Sequence, residues 1–388
     1  MIYALAIGAA AFTAPSSSLL LSPRVHMPAV SMAEGNVVPA GMPSQLQKDH
    51  GKLVITIATT GNINRKERNA NLPCSPEEMS EQMVACIDAG ASILHIHSRA
   101  EDNLPTMRVD VFRETCRLVK EARPDAIIQI STGGRAGGGY EWRMDPLNLM
   151  PEMGSFTPGS VNLGPVVYAN DAKLCQDLAQ KYCDTGIKPQ IEVFDTNMIS
   201  NTDLLVKQGL LKRPIDYGFV MGAPGAQECS LRQLGSLMSM IKPGDTWTSI
   251  GIGKFEMPLA YCAIAMGGHV RVGLEDTNKL PDGRIATNVE LVEHVVEVAK
   301  AMGREIATPE EAREILSMDP ARKDDILKYL DPEMPLKDLV SPEMWEEHYT
   351  DLEPIPGSLR MQPGPDHPNH GKNYEPICPI NGGAPVEA

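Results

Sequence analysis

Short apolar runs alternate with longer amphipathic segments along most of the chain, beginning at residue 52. The segment after the first run opens with Ser75-Pro76-Glu77-Glu78, which is typical of a capped helix N-terminus, and a short helix is predicted at Pro146–Met153. The pattern predicts eight strands, each followed by a helix, at Leu53–Ala58, Ile93–His97, Ile127–Ser131, Ser160–Leu163, Gln190–Phe194, Tyr217–Met221, Trp247–Ile250 and His269–Val272.

Strands that alternate with helices imply a parallel sheet, and eight such units in about 250 residues match the size of a closed (β/α)8 TIM barrel. A doubly wound open sheet is the alternative. The barrel places the carboxyl end of every strand on one face, where active sites of this fold lie. It divides the chain into a leader at residues 1–45, a barrel domain at 50–312 and a Pro-rich C-terminal extension at 313–388.

The predicted leader has the composition of a targeting segment. A short apolar run at residues 1–12 ends in small residues, and no acidic residue occurs before Glu34. The Ala11-Phe12-Thr13-Ala14-Pro15 junction resembles the cleavage motif of plastid presequences in algae with secondary plastids. We therefore expect a plastid location, with the secretory pathway and the cytoplasm as alternatives.

The Pro-rich C-terminal extension is expected to be a tail with a few short helices that wraps the barrel or a neighbouring subunit. It contains His367, His370 and Cys378, for which a polar tail is a better interpretation than a second metal site.

Composition narrows the classes of partner. The chain of 388 residues carries a net charge of -15 and has a pI near 5.1, which argues against a nucleic acid or an anionic membrane as the main partner. No apolar run reaches the length of about 18 residues that spans a bilayer. The eight Cys form no C-x-x-C pair, which favours reduced, buried thiols.

The ends of two predicted strands carry residues that can bind a metal ion. His95 and His97 lie two positions apart, so their side chains point to the same face of one strand. Imidazole is a common zinc ligand, but catalytic zinc usually takes three protein ligands. Glu275 follows the eighth predicted strand and is the best third ligand, because the barrel brings both strand ends to one face.

Other strand ends carry polar or small residues where a core would require apolar ones. Ser131 to Gly134 could bind a carboxylate through a hydroxyl and backbone amides, or could be a Gly-rich turn capped by Ser. Glu192 lies within an apolar strand and requires a partner, either near the metal or on a barrel Arg. Arg271 could hold Asp276 as a base, bind a substrate carboxylate, or only close the barrel mouth. Gly251-Ile252-Gly253 is a fragment of a phosphate-binding loop.

Several motifs in one continuous order resemble the β-keto acid cleavage enzymes, typified by the 3-keto-5-aminohexanoate cleavage enzyme. The resemblance covers roughly residues 52 to 316 and rests on Thr60-Gly61, Asn71-Leu72-Pro73, His95-Ile96-His97-x-Arg99, Gln129-Ile130-Ser131-Thr132-Gly133-Gly134, Pro151-Glu152-Met153, Asn162-Leu163-Gly164, Gly268-His269-x-Arg271-x-Gly273-x-Glu275-Asp276 and Ala307-Thr308-Pro309. It implies a zinc-dependent (β/α)8 barrel, usually a dimer or tetramer. The implied reaction converts a β-keto acid and acetyl-CoA into acetoacetate and a new acyl-CoA.

The resemblance also implies roles for individual residues. The zinc ligands would be His95, His97 and Glu275; the catalytic residues would be Asp276 as base and Arg271 assisting it; the substrate contacts would be Ser131, Gly134, Ser155, Asn162 and Ile63. Ile63 is a departure, because enzymes that act on the aminated keto acid carry a Glu after Thr-Gly-x. We therefore expect a substrate without a distal ammonium group.

Two other classes of protein remain as alternatives. A metal-dependent barrel hydrolase could also use the H-x-H strand, but it would draw further His ligands from later strands. His269 begins a predicted strand, at the wrong end, and His294 lies in a predicted helix. A catalytically silent scaffold is the other alternative, against which the intact set of His95, His97, Glu275 and Asp276 argues.

Overall fold

The computed structural model describes residues 45–134, 141–164 and 166–342, together with 345, 349, 352–354 and 361–363. Almost all of the predicted leader lies outside the described residues. So do His367, His370 and Cys378 of the predicted tail. The following description concerns the described residues.

Eight parallel strands form a closed barrel, as the sequence predicts. They are β1 Ile55–Ala58, β2 Ile93–Ile96, β3 Ile127–Ile130, β4 Met153–Phe156, β5 Lys188–Val193, β6 Asp216–Met221, β7 Thr246–Gly251 and β8 His269–Val272. Each strand pairs with the next in the chain, and β8 closes the barrel against β1 with Ile55 opposite Val270. The four residues of each of β1, β2, β3, β4 and β8 are all buried, as expected for strands covered on both faces.

Helices cover the outside of the barrel, at Pro76–Ala89, Val109–Ala122, Ala172–Thr185, Thr196–Lys207, Leu231–Met240, Glu256–Met266 and Asn288–Ala301. A 3-10 helix, Asp145–Leu149, takes the place of an α-helix between β3 and β4. The predicted capping box is present: the Glu78 amide donates to the Ser75 hydroxyl at 3.2 Å. Shorter helices are Gln45–His50 before β1 and Pro309–Ile315 after the last barrel helix.

The prediction of the fourth strand was wrong. The barrel uses Met153–Phe156, whereas Val161–Leu163 pairs antiparallel with Val166–Tyr168 in a hairpin that follows β4. The predicted helix at Pro146–Met153 therefore ran too far, because the 3-10 helix ends at Leu149. The sequence of Met153–Phe156, Met-Gly-Ser-Phe, contains no β-branched residue and so does not predict a strand. Gly154 fits because a Cβ there would lie 2.5 Å from the Tyr182 hydroxyl, so only glycine lets that ring pack on the strand.

The segment after the barrel packs back onto it. Arg313, in the Pro309–Ile315 helix, forms a buried bidentate pair with Glu152, with N–O distances of 2.6 and 2.9 Å. The Asn148 side chain donates to the Leu339 carbonyl at 2.7 Å. The described part of the predicted tail therefore lies against its own barrel and contains three 3-10 helices, at Pro320–Arg322, Asp325–Lys328 and Leu336–Asp338.

The cysteines follow the prediction in part. Within the described residues seven Cys are free, of which Cys74, Cys86, Cys116 and Cys175 are buried, Cys229 and Cys262 are half-buried and Cys183 is exposed. Over the same part of the chain, every helix is too short or too polar to cross a membrane.

Candidate active site

The two His and Glu275 meet at the carboxyl-end mouth of the barrel. His95 lies in β2 and His97 directly follows it, and both side chains are buried. Nε2 of His97 lies 3.4 Å from Oε1 of Glu275, and Nε2 of His95 lies 3.8 Å from Oε2 of Glu275. The three donor atoms all lie within 4.8 Å of one another. The structure thus brings together residues that are 178 to 180 positions apart in the sequence.

Two glycines allow Glu275 to reach this position. Gly273 ends β8 with φ 146°, and a Cβ there would lie 2.0 Å from the Ala58 carbonyl oxygen of β1. Gly61 has φ 61°, and a Cβ there would lie 2.4 Å from Cγ of Glu275. The Glu275 amide then donates to the Ala58 carbonyl at 3.1 Å. Both positions combine a left-handed backbone with close contact, so only glycine fits.

The donor set fits a divalent cation. Nδ1 of His97 and Oε2 of Glu275 are buried and have no hydrogen-bond partner among the described residues. Burial lowers the pKa of His95 to about 3, which keeps its imidazole neutral as a ligand must be. Burial would raise the pKa of Glu275, but the positive charge of Arg271 holds it well below its usual range. Two nitrogens and a carboxylate suit zinc, whose tetrahedral ligands lie about 3.3 Å apart.

Arg271 is surrounded by carboxylates. Its Nε and Nη2 donate to the two oxygens of Asp276 at 2.8 and 3.0 Å, and Nη2 also lies 2.6 Å from Glu275. Nη1 lies 3.3 Å from Glu192, which also accepts from the Thr157 hydroxyl at 3.2 Å. Of the two alternatives for Glu192, the pair with a barrel Arg is present in the structure, and the same Arg contacts Glu275. The guanidinium is already paired with three carboxylates, which favours the alternative in which it holds Asp276.

Asp276 is the candidate base. It is buried, and burial raises the pKa of its carboxyl group. The charge of Arg271 opposes that rise, and the negative charge of Glu275 adds to it. A carboxylate with a raised pKa accepts a proton from carbon more readily than an ordinary Asp does.

Ser131 and Ser155 contact the Ser131–Gly134 turn. Ser131 directly follows β3, and Ser155 lies in the neighbouring strand β4. The Ser131 hydroxyl accepts from the Gly133 amide at 3.1 Å, and the Ser155 hydroxyl accepts from the Thr132 amide at 3.2 Å. The cap interpretation of Ser131 is therefore present in the structure. Each hydroxyl keeps its own proton for donation, so the turn can still bind a carboxylate.

Arg143 supports the same turn, and sequence reasoning missed it. Its Nε donates to the Thr132 carbonyl at 2.7 Å, and its Nη2 donates to the Tyr168 hydroxyl at 2.8 Å. Gly134 packs directly on this side chain, since a Cβ at Gly134 would lie 2.8 Å from Cγ of Arg143. Arg143 lies in a short segment without periodicity, so no local signal marks it as part of the site.

Arg99 fixes the loop after β1 in a similar way. Its Nη2 donates to the carbonyls of Thr60, Gly61 and Asn64 at 3.1, 2.7 and 2.8 Å. In the same loop Asn62 donates to the Gly133 carbonyl at 2.5 Å, which joins the loop to the Ser131–Gly134 turn. The Ile63 side chain between these anchors is 40% exposed.

Two of the predicted elements have other surroundings than expected. Asn162 lies exposed in the hairpin after β4 rather than at a barrel strand end, and its carbonyl abuts Gly225. No hydrogen bond of the described residues links its side chain to the cluster at the barrel mouth. In the Gly251–Gly253 fragment, the Gly253 amide donates to the Asp276 carbonyl at 2.7 Å, so this amide supports the candidate base.

The fold and the donor cluster define a (β/α)8 barrel with a candidate divalent-cation site at its carboxyl-end mouth. A family model described as beta-keto acid cleavage enzyme matches residues 52–318, and the chain belongs to that family.

Similar proteins agree with this assignment. The 3-keto-5-aminohexanoate cleavage enzyme of Fusobacterium nucleatum is 41% identical over 269 residues, which are 69% of this chain and 98% of that protein. The 3-oxoadipate:acetyl-CoA acetyltransferase of Cupriavidus necator is 35% identical over 68% of this chain and 94% of its own length. The solved structure of ObcA with a C4-CoA adduct and oxalate has a TM-score of 0.58 and 21% identity, over 64% of this chain and 68% of that chain. At this identity the likeness to ObcA concerns the fold.

Proposed function

We propose that this protein is a zinc-dependent acyltransferase that converts a β-keto acid and acetyl-CoA into acetoacetate and a new acyl-CoA. The observation that carries the proposal is the cluster of His95, His97 and Glu275 directly beside the Arg271–Asp276 pair. Membership of the β-keto acid cleavage enzyme family supports it, as do the activities after which the two similar proteins are named.

The side chains of the site have distinct roles in this reaction. Ser131, Ser155 and the backbone around Gly134 hold the substrate carboxylate, which places the neighbouring carbon near Asp276. Asp276 removes a proton from that carbon, which lies between the carboxylate and the ketone, and Arg271 keeps the Asp276 carboxylate oriented. A bound zinc ion would supply Lewis acidity toward the ketone oxygen.

The remaining steps exchange two acyl groups. The deprotonated carbon attacks the acetyl carbonyl of acetyl-CoA, a C–C bond forms, and CoA thiolate leaves. The thiolate then attacks the original ketone carbon, and the bond between that carbon and its neighbour breaks. The released carbanion regains the proton from Asp276 and departs as acetoacetate. The original acyl group, now bonded to the thiolate sulfur, departs as the new acyl-CoA.

Metal content tests the ligand set. Purified wild-type protein should contain one divalent ion per chain, and His95→Ala should lose both the metal and the activity while the barrel stays folded. His294→Ala is the matched control, because His294 lies on a helix and its Nε2 is paired with the Tyr261 hydroxyl at 2.5 Å. Full metal occupancy in His95→Ala would refute the assignment.

A product screen separates the proposed acyltransfer from its alternatives. A panel of β-keto acids with acetyl-CoA should give acyl-CoA products by mass spectrometry. Hydrolysis without acyl-CoA formation would indicate the hydrolase, and inactivity in the metal-loaded protein would indicate the scaffold. The described His residues after His97 argue against the hydrolase. His294 lies on a helix, and His269 lies at the amino end of β8, where its ring accepts the Val54 amide at 3.2 Å.

We infer that the substrate carries no distal ammonium group. Ile63 replaces the expected carboxylate, and the neighbouring Asn62 and Asn64 are neutral and bonded to backbone carbonyls. An ammonium group beside Ile63 would lose water without gaining a partner, at a cost of roughly 3 kcal/mol or more. That cost corresponds to more than about a hundredfold in kcat/KM.

The test compares kcat/KM for 3-ketohexanoate and 3-keto-5-aminohexanoate at equal acetyl-CoA. We expect wild type to prefer the unaminated acid and Ile63→Glu to shift the ratio towards the aminated one. Ile63→Gln has nearly the same shape without the charge and should not shift it. Preference of wild type for the aminated acid would show that another residue supplies the charge.

We also propose a plastid location and a dimeric or tetrameric state. The mature chain should begin between Ala33 and Gln47, and the Gln47 side chain accepts the Glu305 amide at 2.8 Å, so cleavage upstream keeps this contact. N-terminal sequencing of protein from its native cells tests processing, and an intact Met1 would refute it. Light scattering of the purified protein tests the oligomeric state.

A further inference from the structure

A chain of buried polar side chains crosses the inside of the barrel and ends at His95. Nδ1 of His95 lies 2.6 Å from Oε1 of Gln129, and Nε2 of Gln129 donates to Oε1 of Gln190 at 3.3 Å. Nε2 of Gln190 donates to Asp216 at 2.7 Å, and the Thr246 hydroxyl donates to Asp216 at 2.9 Å. His95 is 1% exposed, and Gln129, Gln190 and Asp216 are 0% exposed, so water does not offer them alternative partners.

The position of these residues follows from the strand register. His95 of β2 lies opposite Gln129 of β3, and Gln190 of β5 lies opposite Asp216 of β6. His95 and Gln129 interrupt apolar strands, whereas Gln190 lies within β5 and Asp216 begins β6. All four are buried, where an amide or carboxylate without a partner would be costly. Their mutual hydrogen bonds provide these partners. The same hydrogen bonds also fix which group donates and which accepts at each contact.

The direction comes from the Asp216 end. An ionised carboxylate only accepts hydrogen bonds, so Gln190 must present its NH2 group to Asp216 and its carbonyl oxygen to Gln129. Gln129 must then turn its NH2 group to Gln190 and its oxygen to His95. An oxygen facing Nδ1 requires the proton on Nδ1, which leaves the lone pair of Nε2 directed at Glu275.

We propose that Gln129, Gln190 and Asp216 are positioning residues, a directional hydrogen-bond relay that holds His95 in the Nδ1–H tautomer and so prepares Nε2 to bind the cation. The inference rests on the proposed function for its consequence, but the tautomer is a property of the metal-free protein. His97 offers a comparison, because its buried Nδ1 has no hydrogen-bond partner among the described residues. The relay therefore acts on one of the two imidazoles.

Asp216 determines whether the relay can reverse. Burial raises the pKa of Asp216, and the hydrogen bonds from Gln190 and Thr246 oppose that rise. A group at position 216 that can also donate would let both amides turn over, so that Gln129 presents NH2 to Nδ1. His95 would then carry its proton on Nε2 and could not bind a cation through that atom.

The experiment uses His side chains labelled with 15N in the full-length, metal-free protein, and His95→Ala assigns the His95 signals. Wild type should show a protonated Nδ1 and an unprotonated Nε2. Asp216→Asn, which can donate or accept, should show a mixture of tautomers. An Nε2–H tautomer in wild type, or an unchanged tautomer in Asp216→Asn, would overturn the relay.

Metal affinity, measured by competition with a chelator, tests the consequence. Gln129→Leu should weaken zinc binding by about 10- to 100-fold, the usual effect of losing the partner of a ligating His. Gln129→Glu keeps an acceptor for Nδ1–H and should restore affinity to within about threefold of wild type. Gln227→Leu is the control, because the Gln227 amide donates to the Val193 and Val220 carbonyls at 2.9 Å and accepts from the Gln233 side chain at 2.8 Å, and none of these partners belongs to the relay.

The outcomes separate the relay from the proposed function. If wild type shows the Nδ1–H tautomer but binds no divalent ion, the proposed function fails and the relay stands. If wild type binds zinc and Gln129→Leu binds it equally well, the proposed function stands and the relay is wrong.

Discussion

Replacement of Arg271 by Met should lower the free energy of unfolding more than removal of an exposed charge does. Arg271 is 3% exposed and touches Asp276, Glu275 and Glu192 at 2.8, 2.6 and 3.3 Å. Glu192 keeps its bond from Thr157, and Glu275 would keep a bound cation, so most of the loss falls on Asp276, which loses both hydrogen bonds. Breaking one buried pair of this kind costs about 3–5 kcal/mol.

Urea unfolding, followed by circular dichroism, measures this loss. At an m-value of about 3 kcal/mol per M, the midpoint for Arg271→Met should fall by about 1 to 2 M. Arg284→Met is the control, because Arg284 is exposed and pairs with Asp282 and Glu290 on the surface. Its midpoint should stay near that of wild type.

Kinetics separate the proposed catalytic role of Arg271 from its role in stability. Arg271→Lys keeps a positive charge but cannot bond Asp276 through two parallel N–H groups, so the protein should fold with a lower kcat and little change in KM. If Arg271→Met unfolds at the urea concentration of Arg284→Met, the carboxylate cluster does not depend on Arg271 and the reasoning fails.

Three further predictions concern packing and accessibility. Gly61→Ala should fold but bind zinc at least about tenfold more weakly, because the new Cβ would displace the candidate ligand Glu275. Gly283→Ala is the control, because Gly283 also has a positive φ, of 88°, but no atom lies within 4 Å of its Cβ position. An equal loss of zinc affinity in Gly283→Ala would contradict this cause. Glu152→Gln should lose about 3 kcal/mol in urea unfolding, since Arg313 stays buried with a neutral partner, and an unchanged midpoint would disprove the pair's importance. Cys183 should react first with a maleimide among the described Cys, and peptide mass spectrometry would reveal any other order.

The periodic pattern of the chain predicted the barrel because seven of its eight strands carry β-rich apolar runs. It failed at β4, where Met153–Phe156 is held by its surroundings: Gly154 accommodates Tyr182, and Met153 and Phe156 are fully buried. The more strand-like Val161–Leu163 forms a hairpin outside the barrel. Local preference for β structure therefore misled where tertiary packing determines the strand.

The candidate site was predictable where the residue type itself is unusual. Two His on one strand and a Glu at the end of another are recognisable in a sequence, and the barrel topology brings them together. Arg143 was not predictable as part of the site, because it lies in a segment without periodicity. Arg99 was marked only as part of the family motif, because the backbone carbonyls that it binds carry no sequence signal. The relay was visible only in part, as a Gln inside an apolar strand, and its partners depend on a register that no local pattern reveals.

The contacts of Arg99 bear on how such a site can acquire new substrates. Arg99 donates hydrogen bonds to the backbone carbonyls of Thr60, Gly61 and Asn64 in the loop after β1. Every amino acid has such a carbonyl group. The conformation of the loop therefore does not depend on the side chain at position 63. On the proposed role of Ile63 in substrate selection, exchanges at that position change which molecules are accepted while the loop keeps its shape, so selectivity and foldability evolve almost independently.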